Sequence, residues 1–231
     1  MCQKHLLCSA NGHPIISVSQ QPIDFGENIC VGDIGRSWLS LYKQLFEGVR
    51  RAKTKYVAMA EHDCVYAPEH FRWIPPREDT FYYNDNCWLV QHSSLTKPEL
   101  NGLYSYWPKR YALSQLICNR ELLKQVIDKR LNILDKGRNF IKQIAHIAEP
   151  GITKINLKRL QEIADSGRSV YLRPMLKAFE KYLDSEKWAI FKTEVPNLDI
   201  RHTGNFTGPK RGNSRKMNLP PWGTLQEVLS A

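Results

Sequence analysis

Apolar residues at Trp38, Leu41, Tyr42, Leu45, Phe46 and Val49 recur at i, i+3, i+4, i+7, i+8 and i+11. That is the one-sided stripe of an amphipathic helix, and Ser37 stands where its N-cap belongs. Two apolar runs flank it. Pro14–Val18 predicts a short buried strand and Lys55–Ala60 a second, with glycines 26, 32 and 35 marking the loop between the first strand and the helix. Strand, helix and strand at this spacing predict a βαβ unit and so a parallel pairing. Further along, Thr80–Asn84 and Cys87–Gln91 are rich in aromatic and β-branched residues and read as strands. Residues 93–113, with Pro98 and Pro108, read as irregular. A helix is expected from an Asn119 cap to Leu134, stopped by Gly137, and another from Asn156 to Gly167. A late strand, Trp188–Thr193, leads into a loop over 197–208.

These elements predict one α/β domain over residues 1–231, with a mixed and mainly parallel central sheet and a basic tail from about residue 209. No period of similarity repeats along the chain. No apolar run approaches the roughly 20 residues that span a bilayer, and Met1–Cys8 is too polar and short for a signal peptide. A cytoplasmic protein without a membrane span is therefore expected. The six cysteines (2, 8, 30, 64, 87 and 118) form no zinc-type pair and read as reduced, buried thiols.

Candidate chemistry concentrates where the second strand ends. In extended chain, residues i and i+2 point the same way, so Glu61 and Asp63 place two carboxylates together. Ligands of open α/β sheets bind beyond the carboxyl ends of strands. Two carboxylates there suit Mn2+ or Mg2+, hard ions that share their shell with phosphates. His62 and His70 flank the pair, lack a zinc pattern, and read as structural. Gly204-Asn205-Phe206-Thr207-Gly208 offers backbone N–H groups that can wrap a diphosphate, and Lys210 and Arg211 follow as phosphate partners. Tyr104–Tyr111 interleaves aromatic and basic residues, a composition that stacks sugars or bases.

Three segments carry a family resemblance: Ile16–Gly26 with Asn28-Ile29, Glu61–Phe71, and Asn197–Gly208. They resemble GT-A glycosyltransferases, a Rossmann-like fold, and within them a family-2-like subgroup common in bacteria and phages. Glu61-His62-Asp63 stands where that family carries its D-x-D motif. The resemblance implies a nucleotide-sugar donor, UDP-linked by analogy. It implies Asp63 as direct metal ligand, Glu61 as partner of the ribose or of metal-bound water, and His202 as the ligand from a C-terminal loop. It places the general base for the acceptor hydroxyl near Glu149, with Asp85 as second choice. Relatives begin with an extra strand that grips the base. Here the chain opens where the next helix is already under way, so that strand is expected to be missing.

The formal net charge is +10, from 33 basic and 23 acidic residues. Such a balance favours polyanionic partners. It makes DNA carrying hydroxymethylated pyrimidines an expected acceptor, with a cell-surface glycan as rival. A metal-dependent phosphoesterase or nuclease would use the same carboxylates and histidine. A non-catalytic DNA-binding module finds no helix-turn-helix, zinc-finger or RNA-recognition signature to support it.

Overall fold

The computed structural model describes residues 2–92, 102, 104–106, 111–136, 149–151, 187–202, 214–215, 219 and 221–230. The helix expected over 156–167, Gly137, and the residues Gly204, Asn205, Thr207, Lys210 and Arg211 lie outside them. In chain order the elements are α1 (Cys2–Ala10), β1 (Ile16–Ser19), β2 (Glu27–Cys30), α2 (Trp38–Arg51), β3 (Tyr56–Ala58), β4 (Cys64–Val65), α3 (Pro68–Arg72), β5 (Thr80–Asn84), β6 (Cys87–Gln91), β7 (Tyr104–Tyr106), β8 (Leu116–Asn119), α4 (Arg120–Lys136), β9 (Lys187–Phe191), β10 (Asn197–Arg201), β11 (Ser214–Arg215) and α5 (Leu225–Ser230). No helix among them is long and apolar enough to cross a membrane.

The caps follow the sequence. Ser37 Oγ accepts from the N–H of Ser40. Asn119 Oδ1 accepts from the N–H groups of Glu121 and Leu122, satisfying two donors that a helix start leaves without partners. The stripe on α2 is buried as its period requires: Tyr42 and Val49 are core, with Leu41, Leu45 and Phe46 packed against them. α2 lies against α4 and β1.

The strands form a four-stranded sheet in the order β3-β8-β5-β9, a five-stranded sheet in the order β11-β7-β6-β10-β4, and the pair β1-β2. The fold is mixed α/β, as expected, but three details differ. First, β1 pairs in parallel with β2 and not with β3, so the βαβ reading of 14–60 fails. The loop taken as featureless contains β2, held by Asn28 Nδ2, which donates to the hydroxyls of Ser17 and Ser19. β1 is also only half-buried. Second, among the described residues antiparallel pairings outnumber parallel ones, five to three. The reason is β8, unforeseen at the foot of α4, which inserts antiparallel between β3 and β5. Third, 197–201 and 104–106 are strands, not loop.

Alternation along each strand sorts the side chains. On the four-stranded sheet Phe81, Tyr83, Leu116 and Cys118 face α2 and α4, while Tyr82, Ile117 and Phe191 pack with Trp73 on the other side. On the five-stranded sheet Val65, Val90, Tyr104, Leu198 and Ile200 make an apolar face with Leu219 and Val228. Their neighbours in sequence, Asn197, Asp199, Arg201, Gln91 and Ser105, are also buried. All six thiols are free; Cys64, Cys87 and Cys118 are buried as expected, whereas Cys8 and Cys30 are exposed.

Candidate metal centre

β3, β5 and β9 run in one direction, and the chain leaves the end of each for the five-stranded sheet: β3 to β4, β5 to β6, β9 to β10. The first of these passages carries Glu61-His62-Asp63. It closes as a tight turn, the Cys64 N–H donating to the Glu61 carbonyl at 3.2 Å. The Glu61 N–H donates to the buried Tyr66 hydroxyl at 2.9 Å, which ties the turn to the core.

From this turn β4 runs antiparallel to β10, with Asp199 opposite Cys64 and Leu198 opposite Val65. One step further, the Ile200 N–H donates to the Asp63 carbonyl at 2.8 Å. The residue after β10 is His202. The register therefore delivers it to the turn from far along the chain, and its Nε2 lies 3.8 Å from Asp63 Oδ2. The other carboxylate oxygen, Oδ1, receives the Cys64 thiol at 3.9 Å. Asp63 is thus oriented by a buried thiol on one side and faces an imidazole on the other, with 9% of its surface exposed. Burial pushes the Cys64 thiol well up, and the nearby carboxylates of Asp199, Glu61 and Asp63 add to it.

Among the described residues, two overlapping groups have ligand atoms within 4.8 Å of one another: His62, Asp63 and His202, and Glu61, Asp63 and Cys64. Asp63 is common to both. Asp63 thus has each of the other two expected metal residues beside it, His202 in one group and Glu61 in the other, with His62 and Cys64 added. Donors of this kind fit a divalent ion: one buried carboxylate, imidazole nitrogen and exposed oxygen from Glu61. Sequence reasoning set His62 aside; its place inside the motif, between the two carboxylates, was the available signal.

Neither candidate base belongs to these groups. Asp85 is buried in the two-residue passage from β5 to β6, at the opposite end of β6 from the edge that carries His202. Its N–H donates to the Phe191 carbonyl, its carboxylate accepts from the Tyr106 hydroxyl at 3.3 Å, and Lys192 Nζ is 3.4 Å away. Burial first, and then the Asp85 charge, raises the Tyr106 phenol. Glu149 lies on the helix side of the four-stranded sheet. There the buried Arg130 donates to its carbonyl at 3.3 Å and Tyr83 donates to the next carbonyl, Pro150, at 2.6 Å.

A third feature, buried and not foreseen, locks the two sheets together. Asn197 Nδ2 donates to Gln115 Oε1 at 2.6 Å and to His70 Nδ1 at 3.1 Å, while its Oδ1 accepts from the Ala67 N–H. Asn84 Nδ2 donates to Thr193 and faces the same histidine nitrogen at 3.4 Å.

Comparison with protein-family models, with curated proteins and with solved structures finds no match for this chain.

Proposed function

We propose that the chain is a metal-dependent glycosyltransferase that moves a sugar from a nucleotide-sugar donor, UDP-linked by analogy, to a hydroxyl. The observation that carries this reading is the meeting of Asp63 and His202. They are the two residues that the GT-A resemblance pairs as metal ligands, and the β4–β10 register sets them 3.8 Å apart. When bound, Mn2+ or Mg2+ would neutralise charge gathering on the leaving diphosphate. Asp63 and His202 would hold the ion, and the exposed Glu61 would meet the ribose or metal-bound water. A general base would take the acceptor proton; Glu149 and Asp85, the sequence's candidates for it, both lie outside the groups around Asp63.

The charge of +10 favours DNA bearing hydroxymethylated pyrimidines as acceptor over a glycan, because Lys and Arg contacts to phosphate would supply most of the affinity. A base inside a duplex would have to be flipped out to present its hydroxyl, at a cost of a few kcal/mol. The test is incubation of modified and plain duplexes, and of glycan acceptors, with a panel of sugar nucleotides and Mn2+, read by mass spectrometry. Added sugar mass on modified bases supports the reading; sugar on a glycan alone moves the acceptor. Degradation of plasmid with Mn2+ and no donor replaces the transferase with a phosphoesterase.

A further inference from the structure

We infer that His62 is a third ligand of the Asp63 centre, so that the site presents two imidazoles and one carboxylate and takes a transition-metal ion in preference to Mg2+. This shares the metal with the proposed function but not its chemistry, since an ion can bind whether or not any sugar is transferred.

The geometry rests on the turn and the strand beside it. His62 is exposed at the turn, and the His202 ring approaches its ring edge-on, with centroids 6.1 Å apart and planes at 71°. The ligand atoms of His62, Asp63 and His202 all fall within 4.8 Å of one another. Ligands on bonds of about 2.1 Å in a tetrahedral shell sit roughly 3.4 Å apart. Two imidazoles, one exposed and one half-buried, are the groups that would rotate to close that difference. Asp63 is better placed: the Ile200 N–H holds its backbone carbonyl, and the Cys64 thiol lies 3.9 Å from its Oδ1. Partners of that kind orient a ligand before the ion arrives.

The donor types decide the metal. Imidazole nitrogen suits Zn2+, Cu2+, Fe2+ and Ni2+, and Co2+ precedes Ni2+ in the affinity order, whereas Mg2+ prefers an oxygen shell and dehydrates reluctantly. A Glu61 and Asp63 pair alone would suit Mg2+; adding two nitrogens reverses the preference. Three protein ligands, two on the turn and one from the end of β10, also leave coordination positions open, which is the pattern of a working site more than of a structural one.

The experiment uses the full chain, stripped with chelator and dialysed against Co2+, Zn2+, Mn2+ or Mg2+, with bound metal measured by mass spectrometry. One equivalent of Co2+ or Zn2+ is expected, retained against about a thousandfold excess of Mg2+. Pulsed electron paramagnetic resonance of the Cu2+-loaded protein should report two imidazole nitrogens in the wild type and one in His62→Ala or in His202→Ala. Co2+ affinity should fall at least about a hundredfold in His62→Ala. His62 is exposed, so thermal melting of that variant should match the wild type. Unchanged Co2+ affinity and an unchanged nitrogen count in His62→Ala overturn the inference, as does Mg2+ displacing Co2+ at equal concentration. Tight Co2+ binding with no transfer from any donor leaves the His62 assignment standing and removes the glycosyltransferase reading.

Discussion

His70 offers a sharp test of how the buried polar seam contributes to stability. Its ring is fully buried, stacked on Phe191 and tilted against Tyr66. The orientation of both asparagines beside it is fixed independently: Asn197 Oδ1 accepts from Ala67 and Asn84 Oδ1 accepts from Asn86. Each therefore turns its NH2 group toward Nδ1, which has to stay an acceptor. Burial lowers the His70 pKa from its ordinary 6.5 to about 3. In the unfolded chain the imidazole takes a proton near pH 6.5; in the folded protein it resists until about pH 3. Between those values the unfolded state holds more protons. The stability is thus fully present above about pH 6.5 and is lost as pH falls toward 3, by about 1.4 kcal/mol per pH unit. From pH 7.5 to pH 5 the loss from this one group comes to about 2 kcal/mol, or roughly 4–8 °C in Tm for a chain of this size. Urea unfolding at the two pH values, wild type against His70→Gln, isolates it, since glutamine does not titrate while every other group is shared. The wild type should lose about 2 kcal/mol more than the variant over that span. Equal losses in both proteins would refute the argument and mean that the imidazole is solvated or protonated in the fold.

Other outcomes follow from the same contacts. Asp63→Asn should weaken Mn2+ binding at least about a hundredfold in calorimetry with little change in Tm, because it removes the ligand shared by both groups. Asn197→Ala should cost about 3 kcal/mol or more in urea unfolding, since it leaves Ala67 N–H, Gln115 Oε1 and His70 Nδ1 without their bonds to it in a dry interior. Gly26→Ala should cost about 2–4 kcal/mol by the same assay, because φ is +60° and a Cβ would stand 2.5 Å from the Ile15 carbonyl oxygen, which already accepts from Glu27. Glu149→Gln should keep donor binding and lose about two to four decades of turnover, and near-normal turnover would pass the base role to Asp85.

Two helices, α2 and α4, and the strands β1, β3, β5, β6 and β9 were legible in the sequence because their signals are local, whereas α1, α3 and α5 were not foreseen. The 3.6-residue stripe of α2, the Ser37 and Asn119 caps, and the aromatic runs of β5 and β6 all act within a few residues of themselves, and each appears with the expected bounds or within two or three residues of them. β10 was misread as loop because Asn197, Asp199 and Arg201 look solvated; in the fold they form a buried face, and the alternation with Leu198 and Ile200 was the clue. β8 was hidden by running straight into α4. The motif Glu61-His62-Asp63 announced carboxylates at a strand end, and the family resemblance named His202 to join them, but neither shows how a residue so far along the chain reaches the turn. That was decided by pairing: β4 aligns antiparallel with β10 in one register, and a slip of a single residue would turn the side chains of β4 to the opposite face. Long-range hydrogen bonds and the burial of Val65, Leu198 and Ile200 on a shared apolar face hold that register, and these exist only once the chain has folded.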